Sequence, residues 1–174
     1  MVKYLVVWLK RMVTKTQFQP PSNEFLYKMG YRFSRSLLNH DNMLPENYMW
    51  RAVIINALED CMITRSDRKS ATLKTVAHNW IVSECNDFDR VCHWAMLDPE
   101  DVCVSYKEAV KNKNIRFTTR QILWSKYNTL FKNSLTELDY RKKKIIKKQM
   151  KGIRIEVDKI VNDFVSTIFL NVIA

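Results

Sequence analysis

The stretch that decides the fold runs from residue 87 to residue 110 and reads DFDRVCHWAMLDPEDVCVSYKEAV. Its centre is Asp98-Pro99-Glu100-Asp101. A capping carboxylate comes first, a proline takes the first helical position, and two acids follow where the positive end of the helix dipole stabilises them. The sequence therefore predicts that a helix begins at Pro99.

A shorter helix is predicted just before it, from Phe88 to Ala95, with Asn86 or Asp87 as its cap. Two short helices joined by a tight turn have the geometry of a helix–turn–helix, whose second helix enters the major groove. The inward-facing residues are expected to be Phe88, Val91, Cys92, Ala95, Val102, Tyr106 and Val110. Those facing outward are Asp101 and the three candidates for base contacts, Val104, Ser105 and Lys107. The alternative is two well-capped helices that only pack in the core.

The rest of the chain favours an all-α fold, because two glycines and four prolines are too few for a fold rich in tight turns. Helical spacing of apolar residues predicts further helices over residues 2–16, 23–38, 46–63, 67–83, 119–133 and 135–151. Their predicted starts are Ser22, Pro45, Ser66 or Asp67, Thr118 or Thr119, and Ser134. Polar residues 39–42 end the second of these helices, and Gly152 ends the last.

We expect three parts in this chain. An amphipathic segment covers residues 1–21, a compact helical domain with the helix–turn–helix-like pair covers 22–112, and a basic helical extension covers 113–174.

The net charge of +11 is concentrated in one region. Between Ser105 and Ile155, fifteen Lys and Arg residues face three acidic ones, so this stretch carries +12 and the remainder −1. Such an excess attracts polyanions. The candidate nucleic-acid-binding residues are Lys107, Lys111, Lys113, Arg116, Arg120, Arg141, Lys142, Lys143, Lys144, Lys147, Lys148, Lys151 and Arg154.

Residues 141–154 predict a basic amphipathic helix, with Ile146, Met150 and Ile153 on one face and cations on the others. Such a helix suits the phosphate backbone, an anionic lipid surface or an acidic protein partner. The alternative is a solvated surface helix. Eight cations in fourteen residues without an acid repel one another, which favours a polyanion role.

A third candidate set interleaves aromatic residues with cations, which allows stacking on unpaired bases. It consists of Arg116, Arg120, Trp124, Lys126, Tyr127 and Lys132. The spacing of Trp124 and Tyr127 along the apolar face favours core packing instead.

Neither catalysis nor a cofactor is predicted. His40, His78 and His93 stand apart from any nucleophile, and two glycines cannot form a phosphate-binding loop. A zinc site from Cys85, Cys92, His93 and Cys103 lacks the usual ligand spacing, so no metal is expected. Free thiols favour a cytoplasmic protein. The apolar runs near the two ends are too short to span a bilayer, and no secretory signal is predicted.

Three motifs resemble those of a group of small, mostly uncharacterised bacterial and prophage proteins. They are Trp80-Ile81-Val82-Ser83, Asp87-Phe88-Asp89-Arg90-Val91-Cys92 and Leu97-Asp98-Pro99-Glu100-Asp101-Val102. In that group a WI.S helix end precedes an F..VC..LGLDPE.VR helix–turn–helix-like unit. The turn glycine of the pattern is Met96 here, and its basic residue is Cys103. The resemblance covers about residues 50–110 and implies a DNA-associated, regulatory role in a phage or prophage setting.

Together these patterns favour a nucleic-acid-binding protein, with DNA ahead of RNA and regulation of transcription as the context. The alternative is an interaction protein of phage or host whose basic helix docks on an acidic protein partner or an anionic membrane surface.

The cysteines provide a first test. We expect the purified protein to contain reduced thiols and no zinc, and pairwise replacement of the cysteines to leave the circular dichroism spectrum unchanged. Stoichiometric zinc that disappears in a Cys92 or His93 variant would contradict this expectation.

Overall fold

The computed structural model describes residues 22–38, 44–83, 85–160 and 164–165. Most of these residues are helical, which confirms the all-α prediction. The helices are α1 (Asn23–Met29), α2 (Tyr31–Leu38), α3 (Pro45–Cys61), α4 (Arg68–Val82), α5 (Asn86–Trp94), α6 (Pro99–Lys111), α7 (Thr119–Thr136) and α8 (Tyr140–Lys159), and the strands are β1 (Phe117–Thr118) and β2 (Phe164–Val165). The helix predicted over residues 2–16 lies outside the described residues.

Local capping signals place several helix starts as predicted. The Ser22 hydroxyl accepts a hydrogen bond from the Phe25 backbone amide at the start of α1. Pro45 is the first residue of α3. Thr118 caps α7 in a reciprocal capping box with Gln121, so two otherwise free amides of the first turn are satisfied.

Some of the predicted helix boundaries are wrong. The single helix expected over residues 23–38 is interrupted at Gly30, whose φ of +85° lies in the region that glycine alone adopts readily. Helix α5 begins at Asn86 with Cys85 as its N-cap residue. Asn86 and Asp87 therefore lie inside the first turn and do not cap it. The predicted end at residues 39–42 lies outside the described part of the chain.

The chain forms two compact units. Unit 1 comprises Met1–Asp60 and Ala77–Ala109, and unit 2 comprises Cys61–Val76 and Val110–Ala174. Residues 61–76 thus group with the C-terminal part, whereas the sequence predicted them within a domain over residues 22–112.

The core of unit 1 draws on every one of its described helices. Its fully buried side chains include Phe25, Leu37, Ile54, Leu58, Ile81, Phe88, Val91, Val102 and Tyr106. The hydroxyl of Tyr106 lies 2.7 Å from Nδ1 of the buried His78. This histidine is therefore part of a buried polar contact, which its isolation in the sequence did not indicate.

A buried arginine joins three elements of unit 1. The Arg51 guanidinium of α3 donates to the backbone carbonyls of Ser36 and Leu37 at the end of α2, at 3.1 Å each. Its Nε donates to Ala95 at 2.9 Å, and Nη2 lies 3.5 Å from the carbonyl oxygen of Met96. Burial lowers the pKa of this side chain. The carbonyls at the ends of two helices thus take their hydrogen bonds from one side chain.

Unit 2 uses buried donors in the same way. The Lys74 ammonium donates to the carbonyls of Ile63 at 2.8 Å and Arg116 at 2.6 Å. The Gln121 amide donates to Ile63 at 3.1 Å and Arg65 at 2.6 Å. Two side chains from different helices therefore fix the loop that precedes α4.

Next to these donors, β1 pairs with β2 in antiparallel register, with Phe117 opposite Val165 and Thr118 opposite Phe164. The Lys74 ammonium lies 4.7 Å from the centre of the Phe117 ring.

No helix in the described part of the chain is both long and apolar enough to cross a membrane.

Replacing Arg51 by Met should lower the free energy of unfolding by about 2–4 kcal/mol, because the carbonyls of Leu37 and Ala95 lose a buried donor. The measurement is urea unfolding followed by circular dichroism. The exposed Arg35 on α2 provides the matched control R35M, for which we expect a change below about 0.5 kcal/mol. Equal stabilities of the two variants would show that the buried guanidinium contributes nothing.

Candidate nucleic-acid interface

The basic helix is α8, and it begins later and ends later than the sequence predicted. Asp139 caps it by accepting a hydrogen bond from the Arg141 amide at 2.8 Å. Ser134 lies inside α7 and donates to the carbonyl of Phe131, so its predicted capping role is wrong. Gly152 lies within the helix, where the prediction placed a C-terminal cap.

One face of α8 packs against α7. Its partly or fully buried residues recur every three or four positions: Lys143, Ile146, Met150, Ile153 and Val157. This confirms the predicted apolar face. Lys143 also lies on that face and is half-buried through its aliphatic stem, whereas the other lysines between residues 142 and 151 are exposed.

The other cations of α8 between residues 141 and 154 point to solvent: Arg141, Lys142, Lys144, Lys147, Lys148, Lys151 and Arg154 are all exposed. With a rise of 1.5 Å per residue, they extend over about 20 Å of helix. At 100° per residue, all of them except Lys142 fall within about 140° of the helix circumference. The cations therefore form one stripe.

No acidic residue lies among the cations of this stripe, between residues 141 and 154. The six lysines between residues 142 and 151 form no ion pair with any residue that the structure describes. Helix α7, which supports α8, contains no aspartate or glutamate. Before the stripe, Glu137 and Asp139 accept backbone hydrogen bonds in the turn between the two helices. After it, Glu156 and Asp158 in the last turn of α8 are exposed and form no ion pair with a described residue.

The other predicted cations are less uniform. Lys111 and Lys113 are exposed, and Arg116 is exposed with its Nε donating to the Lys113 carbonyl. Arg120 is half-buried. Arg154, although exposed, donates from Nη2 to the Tyr127 hydroxyl at 2.6 Å.

The aromatic residues of the third candidate set pack within unit 2. Tyr127 is only 3% exposed, and Trp124 is half-buried. The two rings meet edge to face with their centres 5.5 Å apart. Tyr127 is therefore unavailable for stacking on a base. It packs in the core, as its spacing in the sequence predicts.

The helix–turn–helix-like pair has the predicted inward face. All seven residues expected to pack inward, from Phe88 to Val110, are buried. The turn between α5 and α6 closes with two backbone hydrogen bonds, from Met96 to His93 and from Leu97 to Cys92. This is a Schellman motif, and Met96 takes its left-handed position with a φ of +54°.

Electrostatics oppose the second helix of this pair as a reader of DNA. Residues 77–109 contain seven acidic residues against two basic ones. Of the base-contact candidates, Val104 and Lys107 are exposed and Ser105 is half-buried. Ser105 lines a cleft of about 760 Å³ within unit 1, together with Asp98, Asp101 and Glu108. Three carboxylates therefore flank the face that would approach phosphates.

No disulfide joins the four cysteines, and Cys61, Cys92 and Cys103 are buried. Burial raises the pKa of the Cys92 thiol to about 12, so it is protonated at neutral pH. Among the described residues no group of three or more His, Cys, Asp or Glu side chains is arranged to hold a metal ion.

Unit 2 collects almost all of the positive charge. It contains nineteen basic and six acidic residues, a net charge of +13, whereas unit 1 contains ten and twelve, a net charge of −2. Residues 61–76 contribute four of these cations, including Arg65, Arg68 and Lys69 near the start of α4. Their clustering in the sequence is a usable signal, although these residues are not among the predicted binding residues.

Comparison with protein-family models, with curated proteins and with solved structures finds no match.

The turn geometry generates a prediction. Replacing Met96 by Gly should raise the free energy of unfolding by about 0.5–1 kcal/mol, because a left-handed non-glycine residue costs roughly 1–2 kcal/mol and glycine loses part of that gain to its flexible unfolded state. Met96 is 62% exposed, so little packing is lost. The exposed Met49 lies inside α3, and M49G should instead destabilise by about 1 kcal/mol. The measurement is the thermal unfolding of both variants. Equal destabilisation of the two would be inconsistent with a left-handed conformation at residue 96.

Proposed function

We propose that the protein binds nucleic acid, double-stranded DNA in the first place, through phosphate contacts of the basic helix α8. The observation that carries the proposal is the exposed stripe of cations, about 20 Å long, without ion pairs to described residues. A duplex presents a dense row of phosphates, and neutralising them releases condensed counterions. A stripe of unpaired lysines matches that chemistry.

Phosphate contacts fix a protein on a duplex without reading its sequence. The carboxylates around α6 support this mode, because they disfavour insertion of that helix between phosphate backbones. The proposed context of transcription regulation in a phage or prophage rests on the motif resemblance of residues 80–102.

A triple variant tests the proposal. Replacing Lys144, Lys147 and Lys148 by Gln should reduce the slope of log affinity against log salt by up to about three, since each phosphate contact contributes about 0.9. Helix α8 should persist, because Gln and Lys have similar helix propensities. Fluorescence anisotropy with a labelled duplex between about 50 and 200 mM salt gives the slope.

The matched control removes three cations of unit 1, as K28Q/R35Q/R90Q. We expect its slope to equal that of the wild type. A triple variant of α8 with intact fold and unchanged slope would exclude α8 as the interface, and a wild type that binds no duplex would refute the function. A K107Q variant that changes the ranking of duplex sequences would reinstate base contacts from α6.

The alternative function has one specific observation in its favour. Leu138, in the turn between α7 and α8, is 98% exposed, and Leu135 and Tyr140 beside it are also exposed. Apolar side chains next to cations suit an anionic membrane surface or an acidic protein partner with an apolar patch. Co-sedimentation with anionic vesicles that an L138A substitution abolishes, without any duplex binding, would favour this function.

A further inference from the structure

Two arginines of unit 2 contact the same buried ring. The Arg68 Cζ of α4 lies 4.7 Å from the centre of the Tyr127 ring, and the Arg154 Cζ of α8 lies 5.1 Å from it. The two guanidinium carbons are therefore at most 9.8 Å apart, the sum of these distances. Both arginines are exposed, whereas the ring is buried. The ring thus holds two cationic groups at the surface.

Each guanidinium is fixed by more than the ring. Arg68 Nε donates to Oδ1 of Asn128 at 3.0 Å, and the amide of Asn128 donates to the Thr72 hydroxyl at 2.7 Å. Arg154 Nη2 donates to the Tyr127 hydroxyl at 2.6 Å. These bonds reduce the side-chain entropy that a ligand would otherwise have to remove on binding.

Both arginines keep donors that no described residue uses. Neither forms an ion pair with a residue that the structure describes. Both Nη atoms of Arg68, and Nε and Nη1 of Arg154, donate to no described residue. Two pre-ordered guanidinium groups without a carboxylate are an arrangement that suits an oxyanion, because the planar fork matches the oxygens of phosphate.

We propose that Arg68 and Arg154 form a binding site for a single phosphate group. The site deepens the proposed function and rests on it for the source of the phosphate, a phosphodiester of the bound duplex. Arg154 lies at the end of the cation stripe of α8, so a backbone following that stripe reaches this site. The lysines attract the polyanion, and the arginine pair fixes one of its phosphates.

Substitution by lysine separates this role from charge. R68K and R154K retain the charge but lose the planar fork, so each should weaken duplex binding about ten-fold while the salt slope stays unchanged. The matched controls are R65K and R90K, which change exposed arginines for which the structure shows no ring contact among the described residues. We expect these controls to bind as the wild type does.

A second measurement does not depend on duplex binding. The Nε–Hε resonances of Arg68 and Arg154 are followed by nitrogen-15 NMR during titration with inorganic phosphate, with sodium chloride at equal ionic strength as the control. We expect both resonances to shift with phosphate alone, while that of the exposed Arg90 in unit 1 does not. If the lysine variants lose stability, Y127F removes the hydroxyl that anchors Arg154, keeps the ring, and should weaken the phosphate-dependent shift of Arg154.

The outcomes distinguish the two proposals. Duplex binding by the wild type, with R68K and R154K equal to their controls and no phosphate-dependent shift, would overturn the arginine site and leave the proposed function intact. Phosphate-dependent shifts without any duplex binding would refute the proposed function and establish a site for a phosphate from another source. No response to either phosphate or duplex would overturn both.

Discussion

The hydrogen bonds from the buried guanidinium of Arg51 to carbonyls at the ends of α2 and α5 are the interaction on which unit 1 depends. These hydrogen bonds are needed because the sequence contains few glycines. Helix ends leave carbonyls without partners, and glycine is the residue that usually allows the chain to satisfy them. With only two glycines in the sequence, long donor side chains take over this task. Lys74 and Gln121 perform it for the loop before α4 in unit 2.

Sequence reasoning succeeded where the signal is local. The caps at Ser22 and Thr118 and the start at Pro99 follow from side chains adjacent to the amides they satisfy. It failed where two local signals compete. Ser134 is a good cap by type, yet the chain continues as helix and Asp139 takes the role. The helical break at Gly30 was overlooked because the apolar spacing continues across it.

The buried donors were beyond any local argument. Arg51, Lys74 and Gln121 bind backbone carbonyls, which every residue carries, so no partner type marks them in the sequence. Their partners are 11 to 58 residues away along the chain. The candidate interface was more accessible, because net charge is additive and needs no knowledge of contacts. The grouping of residues 61–76 with unit 2 could not be read from composition, because these residues meet the rest of unit 2 only through folding.

The separation of charge between the units explains why a strongly basic chain contains an acidic helix pair. The cations of unit 2 repel one another and would destabilise a unit that had no other source of stability. That stability comes from the packing of α8 on α7, from the capping box at Thr118 and from the buried donors. Three of the acids around α6 are explained by the helix start in unit 1, because Asp98 accepts a backbone hydrogen bond there and Glu100 and Asp101 lie in the first turn.

The contacts of Lys74 and Gln121 also have a consequence for synthesis on the ribosome. The hydrogen bond from Lys74 to the Arg116 carbonyl cannot form until Arg116, 42 residues later, has been translated. The bond from Gln121 to the Ile63 carbonyl likewise requires a residue that is translated 58 residues later. All residues of unit 1 have by then been translated. Unit 1 can therefore complete its core while residues 61–76 are still without their partners, and the basic unit closes last, when its charged helices have emerged.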